Sequence, residues 1–164
     1  MDAYDAIVSK RDTRSYLTDP VDPDDLDRVL RAARMAGSAK NSQLTRLVVV
    51  TDEAIRDDLS ACGDFTAWIA SAPVVIVLVM PSEDGRLFDL GRMAQNLMVA
   101  ANEIGLATCP VTFHHQDRLR SVIGLPDDMD GPMGITLGPP GPVAQGRQRA
   151  PRIPLEELVH RERW

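Results

Sequence analysis

The feature that most restricts the fold is a helical pattern from Leu87 to Ile104 that is apolar on nearly every side. A helix of this kind lies either at the centre of a large core or in a subunit interface. A chain of 164 residues offers limited core to surround such a helix, so we expect an interface. One face carries Leu87, Leu90, Ala94, Leu97, Met98 and Ala101, and Met93, Ala100 and Ile104 broaden it.

Two β-branched runs, Leu47–Thr51 and Pro73–Val79, lack polar alternation. This pattern is typical of strands that are covered on both faces, so we expect both in the centre of a sheet. Asp52–Cys62 between them predicts a helix, which makes the connection a helical crossover. The order of elements therefore indicates α/β or α+β layering.

An earlier helix is predicted after Asp22, which can act as N-cap, with Pro23 at the first helical position. Apolar residues recur at helical spacing as far as Ala33, and Gly37 is available to end the helix. The length fits a single domain over residues 1–164. The other predicted elements are strands at 106–113 and 133–137 and helices at 115–123 and 155–159.

Composition and motif content exclude several classes of function. The net charge of −6 gives no reason to expect nucleic-acid or membrane partners. The start does not resemble a signal peptide, and Cys62 and Cys109 form no paired motif, so a cytoplasmic setting and buried thiols are expected. His114, His115 and His160 lack metal-ligand spacing, so no metal site is expected. Serine hydrolase and nucleotide-binding motifs are absent.

A basic cluster stands out against this acidic background, with Lys10, Arg11 and Arg14 inside five residues and Asp12 between them. The common interpretation of such a run is a solvated, salt-bridged turn. The alternative is a site for an anionic ligand.

A polar loop follows the predicted early helix, where Ser38, Asn41 and Gln43 supply a hydroxyl and two carboxamides. These side chains could simply satisfy backbone groups of the loop. Together with the basic cluster, they could instead hold an anionic organic cofactor.

The two segments together resemble motifs of the FMN-dependent nitroreductase family. Lys10–Tyr16 resembles its R-R-S-x-R-x-F/Y opening, and Ala36–Gln43 resembles A-P-S-x-x-N-x-Q, with Gly37 where proline is usual. The resemblance implies an α+β, nitroreductase-like three-layer fold with a central mixed sheet flanked by helices. It also implies an obligate homodimer with FMN at the interface. Further stretches that fit are 72–77, 89–97, 105–110 and 152–160.

The resemblance assigns roles to the two motifs. Lys10 and Arg11 are expected near the phosphate and ribityl chain of FMN, and Arg14 near the N1/C2 carbonyl edge, where it would favour reduced flavin. Asp12 stands where serine is common, so it must turn away, pair with Arg11 or Arg14, or accept from a ribityl hydroxyl. The loop at 38–43 is expected to come from the partner subunit.

Two further groups of residues are implied by the same resemblance. Backbone N–H groups around Pro110, Val111 and Thr112 are expected to face the flavin N5 edge. Arg149 and Arg152 are expected on the phosphate.

The implied activity is that of an oxidoreductase. Reducing equivalents would pass from NADH or NADPH through bound FMN to an electron-poor acceptor, nitroaromatic or quinone-like, by a ping-pong route. The flavin carries out hydride transfer, so no side chain is assigned as catalytic.

Two alternatives stay open at this point. Lys10-Arg11-Asp12 resembles the opening of the flavin-cleaving 5,6-dimethylbenzimidazole synthases, which act with oxygen. Leu44-Thr45-Arg46 replaces the family's Pro-Trp-Arg, so Trp68 or Trp164 is expected to fill the adjoining space. This departure, with a short segment at 81–86 before the long helix, is also compatible with a non-enzymatic flavin-binding dimer.

Overall fold

The fold is built on a four-stranded sheet in a computed structural model that describes residues 1–83, 85–142 and 151–164. The strands are β1 (Arg46–Val50), β2 (Val74–Pro81), β3 (Ala107–Thr112) and β4 (Met129–Gly138). The helices are α1 (Ala3–Ser9), α2 (Pro23–Arg34), α3 (Glu53–Leu59), α4 (Leu87–Glu103), α5 (Gln116–Ile123) and α6 (Leu155–Leu158), with 3₁₀ turns at Ala39–Asn41 and Ile69–Ser71.

The strand order is β1-β2-β4-β3, and each neighbouring pair runs antiparallel. An isolated bridge between Asp12 and Thr108, outside the named strands, adds a parallel pairing at the edge of this antiparallel sheet. β2 is central, but β1 is an edge strand with Val49 exposed, so the prediction that both β-branched runs are central was wrong for β1. An apolar run without alternation predicts a buried strand, but it does not determine whether one or two neighbouring strands pair with it.

Two cores lie on opposite faces of the sheet. In β2, Ile76 and Leu78 pack into a cluster that includes side chains of α2 and α4. The alternate residues Val75 and Val77 pack into a second cluster with side chains of α3 and α5. Because successive strand residues point to opposite faces, helices cover both sides of β2. This confirms the predicted α+β three-layer fold.

The long helix α4 belongs mainly to the first core. Leu90, Leu97 and Ala101 are buried within a single chain, whereas Leu87 and Phe88 at the start of the helix are exposed. The interface expected for this helix therefore stays a prediction and applies to the exposed part alone. The helix α4 has 17 residues. Neither it nor any other described helix is long and apolar enough to cross a lipid bilayer.

Local signals explain where the helices start and end. Asp22 caps α2 by accepting from Asp24 N at 2.8 Å, as predicted. α2 ends at Arg34, before Gly37, whose missing Cβ instead leaves room for the Arg92 guanidinium. α1 was not predicted, although Asp2 caps it in the same way.

Candidate functional site

The basic segment lies along the outer edge of β3. Thr13 N donates to Thr108 O at 3.0 Å, and farther along Leu17 N donates to Pro139 O at 3.0 Å. Gly141 N donates back to Ser15 O at 2.9 Å. These backbone hydrogen bonds fix the segment that carries the basic cluster, so its charged side chains project from a defined edge of the sheet.

Lys10 is turned inward, and its side chain is only 9% exposed. Its ammonium pairs with Asp12 and lies 3.2 Å from Met98 Sδ. Because Asp12 pairs with Lys10, it pairs with neither Arg11 nor Arg14, the two partners considered from the sequence. The lysine and the aspartate largely cancel each other's charge.

Arg11 and Arg14 have no acidic partner in the part of the chain that the structure describes. Arg11 donates to Val8 O at 2.6 Å and to Lys10 O at 2.7 Å, next to the end of α1. Arg14 lies over the ring of Trp68, with 5.0 Å between Cζ and the ring centroid. Among the described residues, no carboxylate lies within 4.0 Å of either guanidinium. This edge of β3 is therefore locally positive on an acidic protein.

Tyr16 anchors the segment to the sheet. Its hydroxyl lies 2.6 Å from both Thr13 O and Thr136 Oγ1, and Thr136 Oγ1 donates to Cys109 O at 3.0 Å. Burial raises the pKa of the Tyr16 phenol and that of the Cys109 thiol, so both groups stay protonated at neutral pH.

This anchor predicts a loss of stability in alkali. The raised pKa values mean that the folded state holds protons that the unfolded chain releases, from about pH 9 for Cys109 and about pH 10 for Tyr16. The free energy of unfolding should therefore fall as pH rises through this range. We expect a smaller fall for Tyr16→Phe in urea titrations at pH 8 to 11.

Tyr4→Phe is the matched control, because Tyr4 is exposed and is the other tyrosine of the chain. It should lose as much stability in alkali as the parent does. Equal losses in Tyr16→Phe and the parent would contradict a role for the buried phenol.

The polar loop is fixed to the start of α4. Ser38 Oγ accepts from Gln43 N at 3.0 Å, and Asp89 Oδ2 accepts from Ala39 N at 3.0 Å. Arg86 donates to Ala39 O at 2.9 Å. Three residues of the loop have positive φ without being glycine, which requires support of this kind. They are Lys40, Asn41 and Gln43.

A cavity of about 170 Å³ opens beside this loop. Ser38, Gln43 and Asp89 provide polar groups, whereas the exposed Asn41 is not part of its lining. Neither tryptophan lines the cavity, and Trp164 is fully exposed beside His160, so neither fills the space next to the residues replacing Pro-Trp-Arg. The other lining residues are Arg34, Ala36, Gly37, Leu44, Thr45, Arg46 and Met93.

The two motifs lie at different positions along α4. The loop contacts the helix at Asp89, and the basic segment contacts it at Met98. These nine residues correspond to about 14 Å of helix. One chain therefore presents two half-sites: the polar loop, and the positive edge of β3.

The strand β3 presents fewer donors than expected. Thr13 N donates to Thr108 O on the outer side of β3, whereas Phe113 N donates to Pro132 O on the β4 side. The backbone N–H and C=O groups of even-numbered β3 residues therefore point away from β4, and those of odd-numbered residues point toward it. Val111 N–H therefore faces β4. Pro110 has no N–H, so the expectation of a donor there was wrong. Thr112 is the one of the three predicted residues that combines an N–H with an outward direction.

The remaining predicted residues lie toward the C-terminus. Arg152 is exposed, as is every residue of 151–164. Arg149 lies outside the described residues. Sequence reasoning missed two side chains of the site, Asp89 and the partner role of Trp68. Asp89 could have been noticed as an acid in the first turn of a helix, but nothing in the sequence pairs Trp68 with Arg14.

Histidines near the end of β3 form a separate polar cluster. His115 Nε2 lies 3.0 Å from Asp64 Oδ1, and His114 Nδ1 accepts from Asp64 N at 3.2 Å. In the part of the chain that the structure describes, no three His, Cys, Asp or Glu side chains are grouped to hold a metal ion.

Comparison with known proteins gives a consistent result. The sequence model of the Nitroreductase family matches residues 7–62 and 65–138. A protein named NADH dehydrogenase from Thermus thermophilus is 29% identical over 97% of this chain and 95% of its own length. An FMN reductase [NAD(P)H] from Bacillus subtilis is 23% identical over 97% of this chain and 73% of its own. The crystal structure of nitroreductase A from Vibrio parahaemolyticus superposes with a TM-score of 0.87 at 25% identity, covering 100% of this chain and 78% of that one.

Proposed function

Because the chain belongs to the Nitroreductase family, we propose that it is an FMN-dependent oxidoreductase that takes reducing equivalents from NADH or NADPH. The observation that carries this proposal is the pair of arginines at the edge of β3, Arg11 and Arg14, which have no carboxylate partner among the described residues. The names of the relatives support the same cofactor and electron donor.

The residues at this edge fit FMN chemically. The phosphate carries close to two negative charges and reduced flavin adds another, so two guanidinium groups that no described carboxylate neutralises suit both ends of the molecule. Thr112 adds an outward N–H on the same strand. FMN, when bound, supplies hydride transfer, and the protein has to bind, orient and electrostatically tune it.

Specific roles follow from the charges. We assign Arg11 and Arg152 to the phosphate, together with Arg149, and Arg14 to the pyrimidine side of the ring. Lys10 contributes less to binding, because Asp12 offsets its charge.

We also propose that a second copy of the chain completes the site. The 14 Å along α4 between the two half-sites suits a two-fold arrangement, in which Ser38, Asn41 and Gln43 of one copy approach the β3 edge of the other. The exposed Leu87 and Phe88 at the start of α4 provide apolar surface for such a contact. Each copy would be a single FMN-binding domain over residues 1–164.

The acceptor is proposed to be electron-poor, nitroaromatic or quinone-like, and to react at the same site after the nicotinamide leaves. Electron donor and acceptor then alternate in a ping-pong sequence. No side chain is assigned as general acid or base, because hydride transfer to a bound flavin would need none in principle.

The test begins with the absorption spectrum of the purified protein and the mass of the released chromophore. We expect FMN, a dimer by light scattering, and oxidation of NADH or NADPH with menadione that gives parallel double-reciprocal lines. Bound flavin without turnover would favour a flavin-binding dimer, and oxygen-dependent loss of reduced FMN would favour flavin cleavage. No flavin uptake from excess FMN would overturn the proposal.

A further inference from the structure

Trp68 occupies a fixed position next to the proposed site without belonging to either motif. Its Nε1 donates to Phe65 O at 2.9 Å, and Ser71 Oγ donates to Trp68 O at 2.7 Å. The adjoining 3₁₀ turn contains Ile69, which is completely buried, and Arg56 donates to Ala70 O at 2.9 Å. The Trp68 indole is therefore held in place by hydrogen bonds and by packing against the second core.

The contact between Arg14 and Trp68 uses none of the arginine's N–H groups, although the guanidinium also interacts with the Cys109 thiol. A guanidinium over an aromatic ring interacts through its face, whereas its N–H groups point outward in the guanidinium plane. A carboxylate partner would instead occupy those N–H groups. The cation–π contact with Trp68 thus holds a long, exposed side chain in place and keeps its remaining donors available for a ligand.

We propose that Trp68 is a positioning residue that holds Arg14 for the flavin. The inference rests on the proposed function and goes beyond it, because it assigns the orientation of the arginine to a residue outside the binding motifs. The ligand chemistry is that of a planar ring with a carbonyl edge that becomes anionic on reduction. A loosened Arg14 then weakens binding of reduced FMN more than that of oxidised FMN, and the midpoint potential of the bound flavin falls.

A double-mutant cycle tests whether Trp68 acts through Arg14. An exposed cation–π contact is worth about 0.5–1 kcal/mol, so we expect Trp68→Leu to weaken FMN binding about two- to fivefold. Trp68→Phe, which keeps an aromatic face, should recover most of this loss. In the Arg14→Ala background, Trp68→Leu should have no further effect. The same loss in both backgrounds would overturn the inference.

A second measurement needs no cofactor. In the flavin-free protein, the indole ring should shift the NMR resonance of the Arg14 Nε–H upfield, and Trp68→Leu should remove that shift. The control is Trp164→Leu, the same change at the chain's other tryptophan, and it should leave the resonance unchanged. An Arg14 resonance that does not respond to Trp68→Leu would sink the inference even if FMN binds. A parent protein that takes up no FMN would instead overturn the proposed function, whatever the resonance shows.

Discussion

Arg14→Ala is expected to weaken FMN binding by about 1–3 kcal/mol, which corresponds to about five- to 150-fold. The loss has this size because a charge-assisted hydrogen bond to the flavin disappears and neither of the other two cations of the basic cluster replaces it. Lys10 is paired with Asp12, and Arg11 is bonded to the end of α1. Titration of the flavin-free protein with FMN, followed by quenching of flavin fluorescence, measures the change.

Two further variants separate charge from geometry in this experiment. Arg14→Lys keeps the charge but loses the planar fork, so it should fall between parent and Arg14→Ala. Arg31→Ala removes an exposed arginine of α2 that pairs with Asp27, and should leave FMN affinity unchanged. Equal affinity in Arg14→Ala and the parent would remove Arg14 from the proposed site.

Much of the fold could be predicted because its signals are local. Caps and helical spacing located α2, and the uninterrupted β-branched run located β2. The edge position of β1 could not be predicted, because strand order depends on pairing between distant segments. α1 was missed although Asp2 caps it, because only seven residues follow that cap.

The site divides in the same way. The motif residues could be selected from sequence because they are close together in the chain. Their partners could not: Arg14 meets Trp68, 54 positions later, and Ala39 meets Asp89, 50 positions later. The pairing of Asp12 with Lys10 was not among the alternatives considered, because the sequence offers three nearby cations and only side-chain direction selects Lys10.

Leu97→Ala is expected to lower the free energy of unfolding by about 2–5 kcal/mol, the largest effect predicted here. Leu97 is fully buried in the cluster that α4 forms with α2 and the sheet, so the substitution removes apolar contacts and leaves a cavity. Urea denaturation followed by circular dichroism measures the loss. A change below about 1 kcal/mol would show that Leu97 is not part of a packed core.

Leu87→Ala is the matched control, the same substitution on the same helix at a residue that is 63% exposed. Within one chain it removes little buried surface, so it should cost less than about 0.5 kcal/mol if the start of α4 faces solvent. If Leu87 instead lies in the proposed dimer, the substitution should weaken association, and its cost should appear as a midpoint that depends on protein concentration. Comparing the two leucines at two protein concentrations therefore separates the part of the apolar helix that folds the chain from the part that joins two chains.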